Sequence, residues 1–311
     1  MELRRLRLLH EFARQGTVAA VAGALSYSPS SVSVQLAELE REAGVPLLRK
    51  TGRTLQLTPA GRRLAEHAAA ALTADEAVRA ELAHLDGTPR GVLRLSFVQT
   101  PALALLGGAL AELAVTAPDL RVEVVQAETA PALADLRSRA IDVAVGIDYD
   151  PVPAPRHRDV DRHDLIREQV KLVLPVRHRL ARRGGPVSLV DVEHAAWAAG
   201  RPGTGHAAAI DHLCNRYGGY TPDIRHRTDD GLILRALVAS GQAVTLLAAL
   251  LATATPHVAA RTIAESAVHR TVFTAARRST VDAPAVRAVR TALANAAAAA
   301  TAGRDDVTLL V

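Results

Sequence analysis

The segment from Ser26 to Gln35 concentrates small hydroxyl groups. Five of the eight residues from 26 to 33 are serines, and a glutamine follows two residues later. Serine hydroxyls and a glutamine amide can hydrogen-bond to the edges of nucleic-acid bases and to phosphates. They do so specifically only when a rigid element presents them together, so the chemistry depends on the element that carries the segment.

The spacing of apolar residues predicts that this element is a helix beginning at Pro29. Ser28 suits the N-cap position, and proline is tolerated at the first helical position because its missing N–H is not needed there. Apolar residues then share one helical face, at Val32, Leu36, Leu39 and Ala43. The opposite face is predicted to hold Ser30, Ser31, Ser33, Val34 and Gln35.

Two further helices are predicted before this one. Apolar residues recur at helical spacing from Leu3 to Ala13 and stop at Gly16, and a second short helix is predicted for residues 18–25. Two short helices joined by a tight turn, the second presenting small polar groups, are typical of a helix-turn-helix that enters the DNA major groove.

A basic hairpin is predicted directly behind the helix-turn-helix. The run PLLRKTGRTLQLT contains two short extended segments around Thr51 and Gly52, with Lys50 and Arg53 at the tip, where they can reach phosphates or the minor groove. The predicted DNA-contacting residues are therefore Ser28, Pro29, Ser30, Ser31, Ser33, Val34, Gln35, Lys50 and Arg53. A winged helix that serves only protein interactions is the alternative.

The distribution of charge agrees with DNA binding. Residues 1–63 contain ten Lys and Arg against five acidic residues, whereas the whole 311-residue chain has a net charge of +5 from 37 basic and 32 acidic residues. The positive excess therefore belongs to the N-terminal segment, as expected for a phosphate-binding module attached to a neutral domain. On charge alone, a solvated basic surface explains the excess equally well.

Residues 59–85 are predicted to form one long helix of about 40 Å, because Ala, Leu, Glu and Arg dominate them. A seam spaced by threes and fours runs along this helix, at Leu64, Ala68, Ala71, Asp75, Val78, Leu82 and Leu85. Such a seam favours pairing with a second copy of the helix, which suits a two-fold operator. A helix packed on its own chain is the alternative. Residues 86–91 are the predicted hinge.

The composition is that of a folded cytoplasmic protein. Hydrophobic residues make up 49% and charged residues 22%, and no apolar run is long enough for a membrane span or a signal peptide. The single cysteine, Cys214, excludes an internal disulfide framework and falls inside a predicted helix. His206 and His212 are six residues apart and do not share a helix face. We therefore expect no enzymatic activity, no metal and no cofactor.

The first 61 residues resemble the signature of LysR-type bacterial transcriptional regulators. The resemblance is carried by Leu6, Phe12, Gly16, Leu25, Ser28, Val32, Ser33, Gln35, Leu36, Leu39, Glu40, the run from Gly44 to Leu47, Arg53 and the run from Leu57 to Gly61. The chain departs from it at Thr17, Val18 and Ala19, at Val34, and at Leu48 and Lys50. By this resemblance, the helix beginning at Pro29 is the recognition helix and the segment around Arg53 is the wing.

The resemblance extends more loosely over the rest of the chain, where strands and helices alternate as in α/β domains with mainly parallel sheets. It implies an all-α winged helix-turn-helix domain at residues 1–58 and a linker helix at 59–86 that pairs between subunits. An effector domain at 87–303, two-lobed like periplasmic binding proteins, and a C-terminal tail at 304–311 follow. Lobe I comprises about 91–164 and 268–303, and lobe II about 165–267.

A ligand is expected where strand ends and helix N-termini meet, because helix N-termini attract anions. The stretches that fit this place carry Gln99, Thr100, Pro101, Thr129, Arg201, Thr204, His206, Thr228 and Asp229. Helices are predicted to begin at Pro101 and Pro131, so Thr100 and Thr129 resemble helix caps, and capping alone is the alternative for them. Arg201 can clamp a carboxylate or lie on the surface. Because aromatic residues are only 3% of the chain, the expected effector is a compact anionic metabolite, most simply a carboxylate.

The combined prediction is a cytoplasmic, ligand-responsive transcriptional regulator. Its expected partners are operator DNA, a small-molecule effector, further copies of itself in a homodimer or homotetramer, and RNA polymerase, with no membrane. Two alternatives stay open: an architectural DNA-binding protein without an effector, and a solute-binding or interaction protein whose winged helix does not read DNA.

Overall fold

The computed structural model describes residues 1–52, 54–182, 184–252 and 255–311. The helices are α1 (Leu3–Gln15), α2 (Val18–Leu25), α3 (Pro29–Ala43), α4 (Pro59–Asp86), α5 (Gln99–Thr116), α6 (Thr129–Arg137), α7 (Gly205–Leu213), α8 (Gly231–Ala239) and α9 (Pro284–Thr301). The strands are β1 (Leu48–Thr51), β2 (Thr54–Leu57), β3 (Gly91–Phe97), β4 (Leu120–Gln126), β5 (Val143–Tyr149), β6 (Val160–Pro175), β7 (Ala196–Ala199), β8 (Asp223–Arg227), β9 (Thr245–Ala248), β10 (Val258–Arg261), β11 (His269–Arg277) and β12 (Val307–Leu309).

The three helices predicted for the first 43 residues are confirmed, and side-chain caps explain where two of them begin. The Thr17 hydroxyl accepts a hydrogen bond from the Ala20 N–H, and the Ser28 hydroxyl accepts one from the Ser31 N–H. The predicted hairpin is confirmed as β1 and β2, which pair antiparallel. These elements share one apolar core, formed by Leu6, Leu9, Phe12, Val21, Val32, Leu36, Leu39, Leu47, Ala65 and Ala68.

The single long helix predicted from composition is confirmed as α4, whose 28 residues span about 42 Å. Its predicted seam divides into two parts. Up to Ala71 the seam packs in the core of the N-terminal part, whereas Val78, Leu82 and Leu85 are 53%, 61% and 83% exposed. Packing on its own chain therefore accounts for the first part of the seam, and the second part faces solvent.

The remainder of the chain forms two lobes that share one long strand. β6 has 16 residues; its first ten pair with β11 in lobe I, and residues 170–175 pair with β9 and β10 in lobe II. In lobe I, α5 and α9 pack against one another over the core beside β3, while α6 packs with β5 and β11 on the other side. The chain crosses between the lobes along β6 and re-enters lobe I at β11.

This crossing corrects the expectation of mainly parallel sheets. Parallel pairing joins β3 to β4 and to β5, and β7 to β8. Antiparallel pairing joins β6 to each of β9, β10, β11 and β12, and β11 to β5. The sheet is mixed because the strands that carry the chain out of lobe I and back into it run in opposite directions.

The C-terminal segment is not the tail that we predicted for residues 304–311. Val307–Leu309 pairs antiparallel with residues 166–168 of β6, Val307 is buried, and Asp306 pairs with Lys171. A strand of three residues is too short to show a periodicity, and its position depends on an edge that β6 supplies. Similarly short strands, β7 and β10, also had no recognisable pattern.

Across the described residues, we find no helix that is both long enough and apolar enough to cross a membrane.

Candidate functional site

The N-terminal end of α3 presents most of the predicted polar face to solvent. Pro29, Ser30 and Ser33 are exposed, and Val34 is 57% exposed. The Ser28 hydroxyl is used as the helix cap, and the Ser33 hydroxyl donates to the Pro29 carbonyl at 3.0 Å. Both oxygens keep lone pairs that can accept further hydrogen bonds.

Gln35 and Ser31 lie apart from this exposed face. Both are half-buried, and the Gln35 Oε1 accepts a hydrogen bond of 3.1 Å from the Arg5 Nε of α1. Arg5 also pairs with Glu42. The structure therefore directs Gln35 toward α1, leaving its amide N–H groups as the donors that can reach a ligand.

The wing is fixed to α3 through Glu40. The Glu40 Oε1 accepts hydrogen bonds from the backbone N–H groups of Leu47 and Leu48 at 2.7 and 2.8 Å. Lys50, on β1, is exposed. Arg53, the other residue predicted for the tip, lies outside the described residues.

A cleft between the two lobes brings together seven of the nine residues predicted for the effector site. Its inner part has an empty volume of about 430 Å³ and is lined by Thr100, Thr204, His206, Thr228 and Asp229. A wider outer part of about 1430 Å³ is lined by Thr129 and Arg201 as well as by Thr204 and Asp229. Both parts share Glu128, Ile147 and Tyr149 as walls.

Thr100 and Thr129 are not helix caps, which corrects that interpretation. α5 and α6 begin two residues earlier than the predicted starts, so both threonines lie inside the first turn. The Thr100 hydroxyl accepts a 2.8 Å hydrogen bond from Arg270 Nη2. The Thr129 hydroxyl accepts one from the Ile147 N–H at 3.0 Å and donates one to the Ile147 carbonyl at 3.1 Å. Each threonine therefore connects a helix start to a strand.

Gln99 and Pro101 line neither part of the cleft. The Gln99 Oε1 accepts a 2.6 Å hydrogen bond from the Gly231 N–H, which links α5 of lobe I to the start of α8 in lobe II. A Cβ atom on Gly231 would lie 2.5 Å from the Leu251 Cδ2 and 3.0 Å from the Thr100 Cγ2, so glycine suits the close approach of the two helix starts. Pro101 is buried.

Thr204 caps α7 and accepts a hydrogen bond from the Ala207 N–H. Asp229 accepts a 2.8 Å hydrogen bond from the Arg201 N–H, and its other oxygen lies 3.7 Å from the Arg201 Nε. The Arg201 side chain is 76% exposed. It therefore lies at the outer mouth of the cleft with a carboxylate already beside it.

His206 has both ring nitrogens occupied by backbone groups. Nδ1 accepts a hydrogen bond from the Gly200 N–H at 2.9 Å, so the proton lies on Nε2, which donates to the Leu246 carbonyl at 2.7 Å. Burial lowers the pKa of His206 to about 4, so the ring is neutral at physiological pH. It shapes the inner cleft and offers no free nitrogen to a ligand.

Sequence reasoning missed the ionic centre of the cleft. Arg270 of β11 is 3% exposed and pairs at 2.8 Å with Glu168 of β6, which is 0% exposed. The other Glu168 oxygen accepts from the Leu250 N–H in lobe II at 2.8 Å. No local signal marked either residue, because β11 carries a second arginine, Arg277, and β6 carries several other charged residues besides Glu168.

Glu128, the N-cap residue of α6, was also missed. Burial raises its pKa to about 6, the Asp229 carboxylate acts in the same direction, and Arg270 opposes both. Among the described residues, no group of three or more His, Cys, Asp or Glu side chains converges in a way that could hold a metal ion.

Comparison with known families identifies the kind of protein that combines these two sites. Residues 3–62 match the family described as "Bacterial regulatory helix-turn-helix protein, lysR family", and residues 86–298 match "LysR substrate binding domain". The chain belongs to the LysR family. It is a transcriptional regulator with an N-terminal helix-turn-helix and a C-terminal effector-binding domain.

Four proteins similar to this LysR-family regulator cover from 45% to 97% of its length. It is similar to the transcriptional dual regulator GltC of Bacillus subtilis, with 28% identity over 248 residues, 79% of this chain and 80% of that one. A probable hydrogen peroxide-inducible genes activator of Mycobacterium xenopi is 38% identical over 140 residues, 45% of this chain and 74% of that one. A cysteine mutant of Corynebacterium glutamicum OxyR gives a TM-score of 0.58 at 26% identity, covering 97% of this chain and 94% of that one. Full-length OxyR from Pseudomonas aeruginosa gives 0.65 at 21% identity, covering 96% and 94%, and supports the fold alone.

Proposed function

We propose that this regulator binds operator DNA as a homo-oligomer through α3 and the wing, and that a small effector in the interlobe cleft changes that binding. One observation carries the proposal: the same chain combines an exposed serine-rich helix face with a cleft between two lobes in which a few polar side chains converge among apolar walls. A cytoplasmic location, contact with RNA polymerase and the lack of an enzymatic role belong to the same proposal, and the regulatory relatives support it.

Footprinting on the promoter region beside its own gene tests DNA binding. Lys50→Ala should weaken binding to all sequences and lower the salt slope of log affinity by about one, as loss of one phosphate contact does. Ser33→Ala should instead reduce the preference for operator over random DNA, by about 1 kcal/mol. Arg121→Ala, which removes an exposed arginine of the effector domain, is the control. A uniform loss at Ser33 would contradict recognition by α3.

Self-association is proposed through the second half of the α4 seam. Val78, Leu82 and Leu85 are large apolar side chains left in solvent on one side of a long helix, and burying them against a second copy removes that apolar surface from water. Sedimentation of the full chain would distinguish a homodimer from a homotetramer and would contradict the proposal if only monomers were found.

We infer that the effector carries a carboxylate. The first turns of α5 and α6 begin at residues whose side chains do not cap them, and the Thr100 hydroxyl and the Arg270 guanidinium line the same cavity. Backbone N–H groups at a helix start and a guanidinium are the groups that bind carboxylates. The presence of these groups supports an anionic ligand.

The charge balance of the cleft favours a second, cationic group on the same effector. Both cleft arginines already have carboxylate partners, Arg270 with Glu168 and Arg201 with Asp229. Glu128 adds a third carboxylate to the lining. Two guanidinium groups face three carboxylates, so a zwitterion such as an amino acid fits better than a dianion.

A thermal-shift screen with matched ligands tests this effector class. The ligands are L-amino acids, the 2-oxo acids that lack the amino group, and the amines that lack the carboxylate. The amino acid should stabilise the protein most. Thr100→Val keeps the volume and removes the hydroxyl, so it should weaken the response to the carboxylate, while Glu128→Gln should weaken the response to the amino group. A 2-oxo acid that outperforms its amino acid would contradict the zwitterion.

A thiol-based response to peroxide is less consistent with this chain. Such a response needs an accessible thiolate. Cys214, the single cysteine, is buried in a π-helical turn after α7, and burial raises its pKa to about 11. Mass spectrometry after peroxide treatment of the folded protein should find Cys214 reduced; rapid oxidation would favour the peroxide response.

A further inference from the structure

Three carbonyl groups at the C-terminal end of α6 accept hydrogen bonds from arginines. The contacts are Arg14 Nη2 to the Ala134 oxygen at 3.1 Å, Arg277 Nη1 to the Leu136 oxygen at 2.8 Å, and Arg7 Nη2 to the Ser138 oxygen at 3.3 Å. These carbonyls lie at the negative end of the helix dipole, so guanidinium groups suit them. The Ala134 and Leu136 oxygens also accept hydrogen bonds from the backbone N–H groups of Ser138 and Arg139, at 2.9 and 3.2 Å. Two of the three arginines belong to α1, in the DNA-binding part of the chain.

The face of α1 that contacts α6 is polar, with Arg7, His10, Glu11 and Arg14 at helical spacing. Glu11 is 0% exposed and pairs with Arg14 at 3.2 Å, which holds the guanidinium toward α6. Burial, together with Arg139 and Arg14, lowers the pKa of His10 to about 4, so His10 is uncharged at neutral pH. A contact made of desolvated charges adds little net stability, because desolvation offsets the attraction. It can therefore open and close at a small cost, as a switch requires.

The linker helix α4 joins the same end of α6. Glu76 of α4 pairs with Arg139 at 2.9 Å and with Arg277 at 3.1 Å, and it accepts a 2.7 Å hydrogen bond from the Ser279 hydroxyl. Arg139 adopts a left-handed backbone conformation with φ +67°, which is strained for a residue with a side chain. Because Arg277 contacts both Glu76 and the Leu136 carbonyl, the linker helix is tied to α6 as well.

The opposite end of α6 lies in the effector cleft. Glu128 precedes the helix and lines both parts of the cleft, and Thr129 is held to Ile147 of β5 by two hydrogen bonds. With nine residues, α6 places its two ends only about 13 Å apart.

We propose that α6 is a rigid strut that couples the effector cleft directly to α1 and α4 of the same chain, in addition to the covalent route through residues 87–90. This proposal rests on the proposed function and names how its two sites communicate. A ligand that contacts Glu128 or Thr129 shifts the first turn of α6, and the carbonyls at its far end move with it. Arg7 and Arg14 are then positioning residues: they contact neither ligand and transmit the shift to α1.

Thermodynamic reciprocity allows a test that needs no effector. If the cleft end of α6 influences DNA binding, then bound DNA must influence the cleft end equally. Hydrogen exchange of residues 128–149 is measured in the full chain, with and without a saturating duplex from the promoter region beside its own gene. In wild type, DNA should change the exchange rates of these amides by roughly fivefold or more, the lower range of typical coupling.

Two variants separate the strut from other routes. Arg7→Ala combined with Arg14→Ala should abolish the change in exchange, because both α1 contacts to α6 are lost. Arg137→Ala should retain the DNA-dependent change in exchange. Arg137 lies at the same end of α6, but its side chain pairs with Asp159 inside lobe I at 2.7 Å. If the double variant melts early because Glu11 loses its partner Arg14, Arg7→Ala alone carries the test and should reduce the change.

The outcomes distinguish this inference from the proposed function. A change in exchange that persists in the double variant, or its absence in a wild type that binds the duplex in a gel-shift assay, would overturn the strut and leave DNA regulation intact. A wild type that does not bind the duplex would instead refute the DNA-binding function.

Discussion

The exposed end of α3 and the interlobe cleft use polar side chains in opposite ways. On α3 the groups come from neighbouring residues, and the hydroxyls of Ser28 and Ser33 bond within their own segment. In the cleft they come from distant segments and bond to one another, as Thr100 and Arg270 do across 170 positions of sequence. DNA can therefore hydrogen-bond to the α3 hydroxyls without displacing a group from another segment, whereas a ligand in the cleft must compete with hydrogen-bond partners already in place.

The same difference governs what each region does on binding. The hydrogen bond from Gly231 to Gln99 joins the two lobes beside the inner part of the cleft, and Glu168 accepts a hydrogen bond from a backbone N–H of lobe II while lying on the strand that both lobes share. A ligand that takes over any of these groups changes the free energy of one lobe relative to the other, which is the requirement for a conformational response. Among the described residues, the hydroxyls of Ser28 and Ser33 on α3 bond only within their own segment, so they make no such connection.

The largest effect is expected from breaking the cleft network at its buried ion pair. Arg270→Met should lower the free energy of unfolding of the effector domain by about 3–5 kcal/mol, because Glu168 would be left charged and buried without its partner. Urea denaturation measures this change. Arg121→Met is the matched control, because its pair with Glu123 lies on the surface. Equal, small changes in both variants would remove the contrast between the cleft and the surface.

A second prediction concerns operator binding by α3, which depends on the pairing of two α4 helices. Leu82→Asp should separate paired α4 helices and lower operator affinity by about 100-fold, because each half-site then binds alone. His84→Asp places the same charge away from the seam and should leave affinity unchanged. Sedimentation and gel-shift titration give both readouts. An intact oligomer with full affinity in Leu82→Asp would contradict pairing through this seam.

How well the sequence predicted each region follows from the same contrast. The helices and hairpin of the N-terminal part depend on contacts within a few residues, so the spacing of apolar residues and the cap residue Ser28 were sufficient. Gln35 is the exception: its orientation is set by Arg5, thirty positions away, and no local pattern reveals that contact.

The cleft was predictable only in part, for a physical reason. Most of the predicted residues follow strand ends, where a general rule places ligands, and they do line the cavity. Arg270 and Glu168 come together because β11 returns to lie beside β6, and that long-range pairing leaves no mark near either residue. The capping interpretation of Thr100 and Thr129 was wrong because both helices extend two residues further toward the cleft.

A third, smaller effect is expected on base recognition by the exposed face of α3. Val34 projects an isopropyl group into solvent, where a thymine methyl could be contacted in the major groove. Val34→Ala should weaken the preference for thymine at one operator position by about 1 kcal/mol, the value of one or two buried methyl groups. Competition assays with single-base operator variants measure this. A loss spread evenly over all positions would mean that Val34 does not face the bases.

The smallest effect is expected from titrating Glu128, and its sign follows from the raised pKa. Folded Glu128 has a pKa of about 6 against an ordinary value of 4.5, so between these pH values the folded state keeps a proton that the unfolded chain has lost. Stability therefore falls as pH rises through this interval and stays lower above it. Burial is the main cause of the raised pKa of Glu128; Asp229 also raises it and Arg270 lowers it, while His206 is neutral. The amide side chain of the Glu128→Gln variant does not titrate. As the pH is raised from 4.5 to 7, the melting temperature of the variant should therefore rise by about 2–4 °C relative to that of wild type.

An ammonium ligand should reduce this difference, because it stabilises the ionised carboxylate, whereas a carboxylate without an amino group should not. A melting-temperature difference that is independent of pH would mean that Glu128 is ionised throughout, and the cleft would then resemble the α3 face in having polar groups that are ready to bind.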